Sequence, residues 1–478
     1  MWIIYIASAA LALFLGVILI RAACFRPKKQ TCVPYQDVTF DRQRPIEALR
    51  QLIRCRTVSN VDPGKEDDAQ FQKLISLLPE LYPKVFDACS VRQLPGRALL
   101  LRWPGKDAAA PTVLMAHYDV VPVEEAEWSR PPFEGLIEDG HLWGRGTLDT
   151  KASVNGILSA ADHLISQGFQ PKNDIWFAFS GGEEVNGPGA DNIVDYFIQH
   201  SIRPALVVDE GGAVVENVFP GVRKPCGLIG IAEKGMMNAQ YLVRSSGGHA
   251  SAPKPGGPVS ALAKACVELE KKPFKMRLSP PARMMFETLG RHSSFGYKII
   301  FANLWCFRWA IDLLGRLTGG EIDALVRTTV AFTQMEGSTA RNVIPPEARL
   351  VSNMRLAPGD TVQSALGYLR RTVSNDQVEI TALESFEPSR ISQVNCPAWD
   401  IVAATVSATW PGCIVSPYLM VQCSDSRHYG RISDHVYRFS AMDMTAQERA
   451  SIHGNDEKIR LESINKAVEF YIRLIQKC

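Results

Sequence analysis

Several short blocks of this sequence carry side chains that can bind a metal ion or move a proton: His117-Tyr-Asp119, Asp149, Glu183-Glu184, Asp209-Glu210 and His453. In the first, His117 offers one ring nitrogen to a metal. Asp119, two residues on, is placed to receive the other N–H, which would fix the tautomer and raise the ligand's basicity. Asp149 lies in Trp143-Gly-Arg-Gly-Thr-Leu-Asp149-Thr-Lys151, where Gly144 and Gly146 permit a tight turn. Glu183 and Glu184 are adjacent carboxylates directly after an apolar run, a costly placement unless cations compensate them. One of the pair can bind metal while its neighbour takes the proton of a metal-activated water. Asp209-Glu210 repeats the pairing, and His453 in Ser451-Ile-His-Gly-Asn-Asp-Glu457 is the best-placed distal histidine. His117, Asp149, Glu184, one of Asp209 or Glu210, and His453 thus form a five-ligand set in which an aspartate can bridge two ions. Taken singly the blocks are weak: the His–Asp pair is also an ordinary stabilising contact, and Asp149 an ordinary helix cap.

The elements that must position these groups follow from hydrophobic patterning. Residues 112–116, 175–179 and 205–208 are apolar runs too short for helices and too continuous for half-exposed strands, so they read as strands of a sheet covered on both faces. Helices are expected over 153–166 and 189–200 between them, which makes an α/β layer sandwich. Each strand runs at its carboxyl end into one of the charged blocks, the edge where ligands bind in open α/β sheets. Further helices are expected from Ile46, over 71–78 and over 463–475. From about residue 235 a second region begins, with an alternating segment at 238–243, further segments at 326–333, 349–356 and 378–383, and helices at 258–272 and 361–372, a smaller α/β unit. The expected organisation is an anchor over 1–23, a linker over 24–44, a catalytic domain over 45–234 and 389–478, and an inserted domain over 235–388. Residues 284–317 are rich in Phe and Trp but interrupted by Arg308, Asp312 and Arg316, so they do not read as a bilayer span. They read as a buried helical insertion or as an apolar rim for a greasy substrate or membrane surface.

With 478 residues and 46% hydrophobic composition the chain can build more than one domain around packed cores. A net charge of +2 without any extended basic block speaks against nucleic acid and for a small-molecule or peptide substrate. Eleven scattered cysteines without a Cys-x-x-Cys pair suggest neither a dense disulfide scaffold nor a cysteine-rich zinc site, so a metal must rely on His, Asp and Glu. Residues 1–20 carry no charge and are long enough to cross most of a bilayer, which reads as a signal-anchor. A cleaved signal peptide ending near Ala22 and Ala23, giving a secreted protein, and a surface-lying helix are the alternatives. Arg21, Arg26, Lys28 and Lys29 follow the run and by positive-inside counting would keep the large domain cytoplasmic, although the side of the membrane stays open.

Met115-Ala-His-Tyr-Asp-Val-Val-Pro122, Trp143 to Lys151, Gly182-Glu-Glu184 and Val208-Asp-Glu-Gly211 resemble the successive active-site blocks of the aminoacylase, carboxypeptidase S and acetylornithine deacetylase family of dinuclear zinc hydrolases. Arg341-Asn-Val-Ile-Pro-Pro346 and Ile452-His-Gly-Asn-Asp-Glu-Lys458 are similar to its group of N-fatty-acyl-amino-acid hydrolase/synthases and carboxypeptidase S. The resemblance implies a zinc-peptidase α/β/α sandwich with an inserted α+β, ferredoxin-like lid, and two Zn2+ ions per chain, with Co2+ or Mn2+ as substitutes. It implies His117 on the first metal, Asp149 as bridge, Glu184 and His453 on the second, Glu183 as general base and Asp119 orienting His117. For the first metal, aminoacylase-like alignment favours Glu210 and carboxypeptidase-S-like alignment Asp209. His249 in Ser245-Ser-Gly-Gly-His249 resembles the histidine that stabilises the oxyanion, Asn342 a substrate contact, and Arg427 in Ser424-Asp-Ser-Arg427-His-Tyr429 the residue that takes the substrate carboxylate. Thr150 stands where the family often has a second Asp.

The implied reaction is hydrolysis of an amide beside a free carboxylate, in N-acyl or N-fatty-acyl amino acids, with synthesis as the reverse direction left open. A carboxypeptidase or dipeptidase acting on short peptides is the alternative, and an inactive binding homologue a further one. The implied partners are that substrate, the membrane through the N-terminal helix, and a second copy through the lid. A serine hydrolase built on Ser180 lacks the Gly-x-Ser-x-Gly elbow.

Overall fold

The computed structural model describes residues 1–28 and 37–478; residues 29–36, with Lys29 and the middle of the expected linker, lie outside the described residues. Its large sheet has eight strands in the order Ser90–Leu94, Ala98–Trp103, Asn173–Ser180, Asp107–His117, Leu206–Val215, Val436–Met444, Cys226–Glu233, Ile414–Met420. Asn173–Ser180, Asp107–His117, Leu206–Val215 and Val436–Met444 run parallel. Alternate residues of a strand point to opposite faces, and both faces are covered. Val113 and Met115 pack with Trp176, Ala178 and residues of the helix Gly189–Gln199, whereas Leu114 and Ala116 pack with Phe177, Phe179 and residues of the helices Lys151–Ser166 and Leu461–Ile475. That double coverage is why the runs are continuously apolar in sequence.

One strand departs from its expected length. The run at 205–208 was expected to end at Val208, but the strand continues through Asp209 and Glu210 to Val215. Gly211 and Gly212 allow this, because a Cβ at Gly212 would lie 1.9 Å from the Leu228 carbonyl oxygen of the neighbouring strand. The sheet here closes to a backbone approach that only glycine tolerates.

A second sheet is wholly antiparallel, in the order Thr329–Glu336, Glu347–Leu356, Gly235–Arg244, Glu379–Phe386. Helices Pro258–Lys271 and Val362–Val373 pack on it through a core of their own that includes Leu262, Leu366, Tyr241 and Leu350. At its far end Gly248–His249 pairs with Val343–Ile344 in a short ribbon.

Residues 280–326 form four helices, Pro280–Gly290, Phe295–Phe301, Leu304–Thr318 and Gly320–Val326. Their apolar residues share a core with Leu228 and Leu419 of the large sheet rather than with the small sheet. Phe286, Phe301 and Ile311 are buried there, while Trp305, Trp309, Leu313 and Leu317 are exposed. The aromatic stretch is therefore both a buried insertion and an apolar surface. Against it lies Trp2–Cys24, among the described residues the one helix long and apolar enough to cross a membrane. A polar latch joins the two: Arg21 donates to Ala302 O and Asn303 Oδ1, both from Nε at 3.3 and 3.0 Å, and the Asn303 amide donates to Ile18 O at 3.1 Å.

Candidate metal centre

The parallel strands and two loops bring the charged blocks to one place. His117 ends its strand, Glu183 and Glu184 form the turn after Ser180, and Glu210 lies within Leu206–Val215. Asp149 comes from the loop before the helix Lys151–Ser166, and His453 from the loop before the strand Lys458–Arg460. Asp149 Oδ1 is 3.0 Å from His117 Nε2, and Asp149 Oδ2 is 3.0 Å from His453 Nε2. Glu210 Oε1 lies 3.4 Å from His117 Nε2, and Glu184 Oε2 lies 3.1 Å from His453 Nε2. The arrangement is two half-sites sharing one carboxylate. Ligand atoms of His117, Glu183 and Glu210, like those of His117, Asp149 and Glu184, fall within 4.8 Å of one another.

Adjacent strand residues face opposite sides, and this separates the Asp209-Glu210 pair. Glu210 faces His117, whereas Asp209 is buried on the other side with Oδ2 accepting from Ser426 N at 3.0 Å.

Two buried carboxylates hold the frame. Asp119 Oδ1 is 3.3 Å and Asp119 O 3.1 Å from His117 Nδ1, so that side of the ring is held by Asp119 and Nε2 is turned towards Asp149 and Glu210. The same carboxylate accepts from Glu183 N and Glu184 N, each at 3.2 Å, and from Ser59 Oγ at 2.7 Å. Glu457 accepts from Leu148 N at 2.7 Å, Gly146 N at 3.2 Å and Arg145 Nη1 at 2.6 Å, clamping the loop that carries Asp149. It sits four residues after His453, and Lys458 pairs with Trp143, so one connection fixes both loops relative to each other. Neither Glu457 nor Ser59 was singled out from the sequence. Glu457 had a signal, an acid beside His453 in the Ile452 to Lys458 block; Ser59 had none.

The electrostatics are those of too many acids in a dry place. Burial pushes Glu183 well above the ordinary carboxyl range, and Glu210, Asp425 and Glu184 push it further against the pull of His117. Burial raises Glu210 to about 8, opposed by His117. Asp149 goes the other way: burial alone would raise it, but hydrogen bonds with His117 and His453 hold it low. Hydrogen bonds with Asp149 and Glu184 lift His453 to about 10. Burial opposes a charge on His117, yet Glu210, Asp119 and Asp149 together hold it well above the usual imidazole range. Glu184 Oε1 is buried without a hydrogen-bond partner among the described residues. Oxygen and imidazole donors, an orphaned carboxylate oxygen and an excess of negative charge fit a pair of divalent ions.

The remaining expected residues are dispersed. His249 is exposed on the ribbon of the small sheet, its Nδ1 2.7 Å from Ser251 Oγ, and Asn342 is exposed beside it. Neither has a contact with the carboxylate cluster. Arg427 lies closer to it, stacked on Phe386, with Nη1 donating to Ser424 O at 2.8 Å and Nη2 to Asn186 Oδ1 at 3.3 Å, over the turn that carries Glu183. Ser180 is buried with its hydroxyl donating to Asp425, and Thr150 donates to Ser153 Oγ at 2.8 Å. The described cysteines are free thiols. The cluster opens into a cavity with about 1220 Å³ of empty space, solvent mouth included, where Asp149, Glu183, Glu184, Glu210 and His453 face a wall containing Met420, Met442 and Met444.

Comparison with known proteins places this geometry in context. The profile of peptidase family M20/M25/M40 matches residues 113–477. A probable carboxypeptidase S-like 2 of Dictyostelium discoideum is 33% identical over 97% of this chain and 92% of its own length. An N-fatty-acyl-amino acid synthase/hydrolase of Xenopus tropicalis is 34% identical over 91% of this chain and 86% of its own length. Among solved structures, an M20 family metallo-carboxypeptidase from Sulfolobus solfataricus shares the fold with a TM-score of 0.67 at 17% identity, covering 90% of this chain and 98% of that one.

Proposed function

The chain belongs to peptidase family M20/M25/M40, the metal-dependent hydrolases, and from that premise we propose that it cleaves the amide bond of N-acyl amino acids, long-chain acyl groups included, beside their free carboxylate. The observation that carries the reading is Asp149, whose two oxygens each face a different histidine. His117, Asp149 and Glu210 would hold one ion, and His453, Asp149 and Glu184 the other. Two such ions, zinc by family resemblance with Co2+ or Mn2+ as substitutes, supply water activation and polarisation of the scissile carbonyl when bound.

The residues of the chain do the rest. Glu183, whose carboxylate lies with His117 and Glu210 at the centre, is assigned to take the proton of the attacking water and return it to the departing amine. Asp119 fixes His117 and the Glu183-Glu184 turn in one register, so base and ligands cannot drift apart. Arg427 is assigned to the substrate carboxylate, which its planar guanidinium can grip with two hydrogen bonds. His249 is assigned to the oxyanion and Asn342 to a substrate contact. Both assignments require the ribbon to approach the metal centre during turnover, by closure of the small-sheet unit as a lid or across a homodimer.

The acyl preference is supported by the N-fatty-acyl-amino acid relatives and by the methionine wall of the cavity, since methionine adapts to varied apolar groups. The carboxypeptidase reading is kept because a carboxypeptidase S-like relative is equally similar. A panel of N-acyl amino acids and dipeptides, with metal content measured on the same sample, tests both. Faster turnover of dipeptides than of every N-acyl amino acid would replace the first reading with the second. The helix Trp2–Cys24 is assigned as a membrane anchor on its length and apolar surface; an N-terminus beginning near Cys24 in the mature protein would make it a cleaved signal.

A further inference from the structure

Beside the metal cavity lies a second one, with about 890 Å³ of empty space, mouth included, and an almost wholly apolar lining. Phe219, Phe286, Phe301 and Ile311 form its interior, and the exposed edges of Tyr297 and Leu314 mark its outer rim. Leu228, Tyr418, Glu321 and Arg449 line both cavities. The two spaces therefore share a wall of four residues rather than lying on separate sides of the protein. Among the described lining residues of the apolar cavity only Glu321 and Arg449 are charged, and they pair with each other at 3.4 Å.

A partly exposed ion pair of this kind contributes little to stability, roughly 0–1 kcal/mol. A closed apolar core would gain more from packing the same space with side chains. An apolar space of this size, joined to a polar reaction site through a single charged pair, has the form of a ligand compartment. A peptide side chain with its flanking amides would bring polar groups that this lining cannot satisfy. A flexible hydrocarbon chain brings none.

We propose that this cavity is the acyl-chain compartment of the active site, and that the Glu321–Arg449 pair is the threshold the chain crosses on leaving the metal pocket. The inference rests on the reading that the substrate is an N-acyl amino acid, and it adds where the chain lies and what limits its length. A short acyl group ends in the metal pocket beside Met420 and never meets the threshold; a long one crosses it and buries its distal methylenes against Phe286 and Phe301.

The test uses N-acetyl, N-octanoyl and N-oleoyl derivatives of one amino acid with the full chain carrying Leu314→Trp or Ile322→Trp, both partly exposed lining positions where added bulk enters the cavity. The expected result is a fall of about tenfold or more in kcat/KM for the N-oleoyl substrate, in line with the discrimination that lost apolar contacts give. The N-acetyl substrate stays within about twofold on the same grounds. Unchanged N-oleoyl turnover in both variants overturns the proposal. Displacement of a fluorescent fatty acid by oleate on the metal-loaded wild-type protein is read in parallel. If the wild type cleaves dipeptides alone, the substrate reading fails by itself, and the compartment stands only if oleate displaces the probe from wild type and not from the variants. If a variant loses activity uniformly across the three chain lengths, wild-type displacement decides: binding of oleate supports the compartment, and none overturns it.

Discussion

Around Asp149 the fold withdraws carboxylates and imidazoles from water and ties them to main-chain N–H groups through Asp119 and Glu457, whereas around Phe301 it encloses apolar space and leaves one ion pair at the edge. The first region spends many hydrogen bonds on fixing a few atoms. The second fixes hardly any atom and defines a volume. Bond cleavage depends on positions held to fractions of an ångström, while recognition of a hydrocarbon chain depends on excluded water and available room. Substitutions in the two regions should therefore fail differently: in the metal centre by loss of turnover on every substrate, in the insertion by changes confined to chain length or to the N-terminal helix.

Removal of metal is the most severe break of the polar region. Dialysis against a chelator is expected to abolish turnover on all substrates, with recovery on adding back zinc. Turnover that survives with no detectable metal would end the two-ion reading. Next comes Glu183→Gln, which keeps shape and leaves the ligand set in place but removes the base. We expect bound metal to stay at the wild-type level and kcat to fall by about 10²–10⁴-fold. Near-normal kcat in that variant would transfer the base to another group, with buried Asp425, whose charge acts on Glu183, one candidate.

The two regions also differ in how much of them could be read in advance. The proposed ligands His117, Asp149 and Glu184 were legible because each follows a conspicuous apolar run or glycine-rich turn, so local sequence and chemistry agreed. The central strands and the helices between them were legible for the same reason. What was not legible depended on contacts between distant segments. Whether Asp209 or Glu210 meets His117 turns on the pleat of a strand that runs seven residues past Val208, which glycines make possible. Ser59 reaches Asp119 across 60 residues with nothing in its local pattern to announce it, and Glu457, although it stands in the His453 block, carries no local sign that it reaches Leu148 across 309. The insertion was ambiguous because its helices are apolar on both sides: one face packs on the large sheet and the other meets the N-terminal helix or solvent. Periodicity cannot distinguish those two destinations. His249 and Asn342 show the converse, motifs plain in sequence whose place in the fold is away from the metal centre.

Glu457 provides an intermediate break. It contacts no ligand atom but holds the main chain from Gly146 to Leu148, so Glu457→Gln exchanges a carboxylate acceptor for an amide that can satisfy fewer of those donors. A supporting residue of this kind is expected to cost about 10–100-fold in metal affinity or activity. The discriminating measurement is metal titration alongside kinetics. Weakened affinity with kcat restored at saturating zinc means that the clamp positions Asp149; a lowered kcat that zinc cannot restore means that Glu457 acts on the reaction itself, contrary to the geometry.

The smallest expected effect lies at the outer edge of the insertion. Asn303 is fully buried, donates to Ile18 O at 3.1 Å and Ile299 O at 2.9 Å, and accepts from Arg21 Nε at 3.0 Å and Trp305 Nε1 at 3.3 Å. Asn303→Ala leaves those groups without their partner, and an unsatisfied buried polar group costs about 1–3 kcal/mol. That cost should fall on the docking of Trp2–Cys24 rather than on the large sheet, because Arg21 and Ile18 belong to that helix. In the full chain, hydrogen exchange is expected to rise in the Ile18 to Cys24 segment and in residues 295–305. The N-acetyl substrate should keep its kcat/KM within about twofold, since its turnover is governed by positions the latch does not touch. If Asn303→Ala instead lowers N-acetyl turnover as strongly as Glu457→Gln does, the insertion and the metal centre are one mechanical unit, and the division between a fixed polar region and a yielding apolar one does not hold.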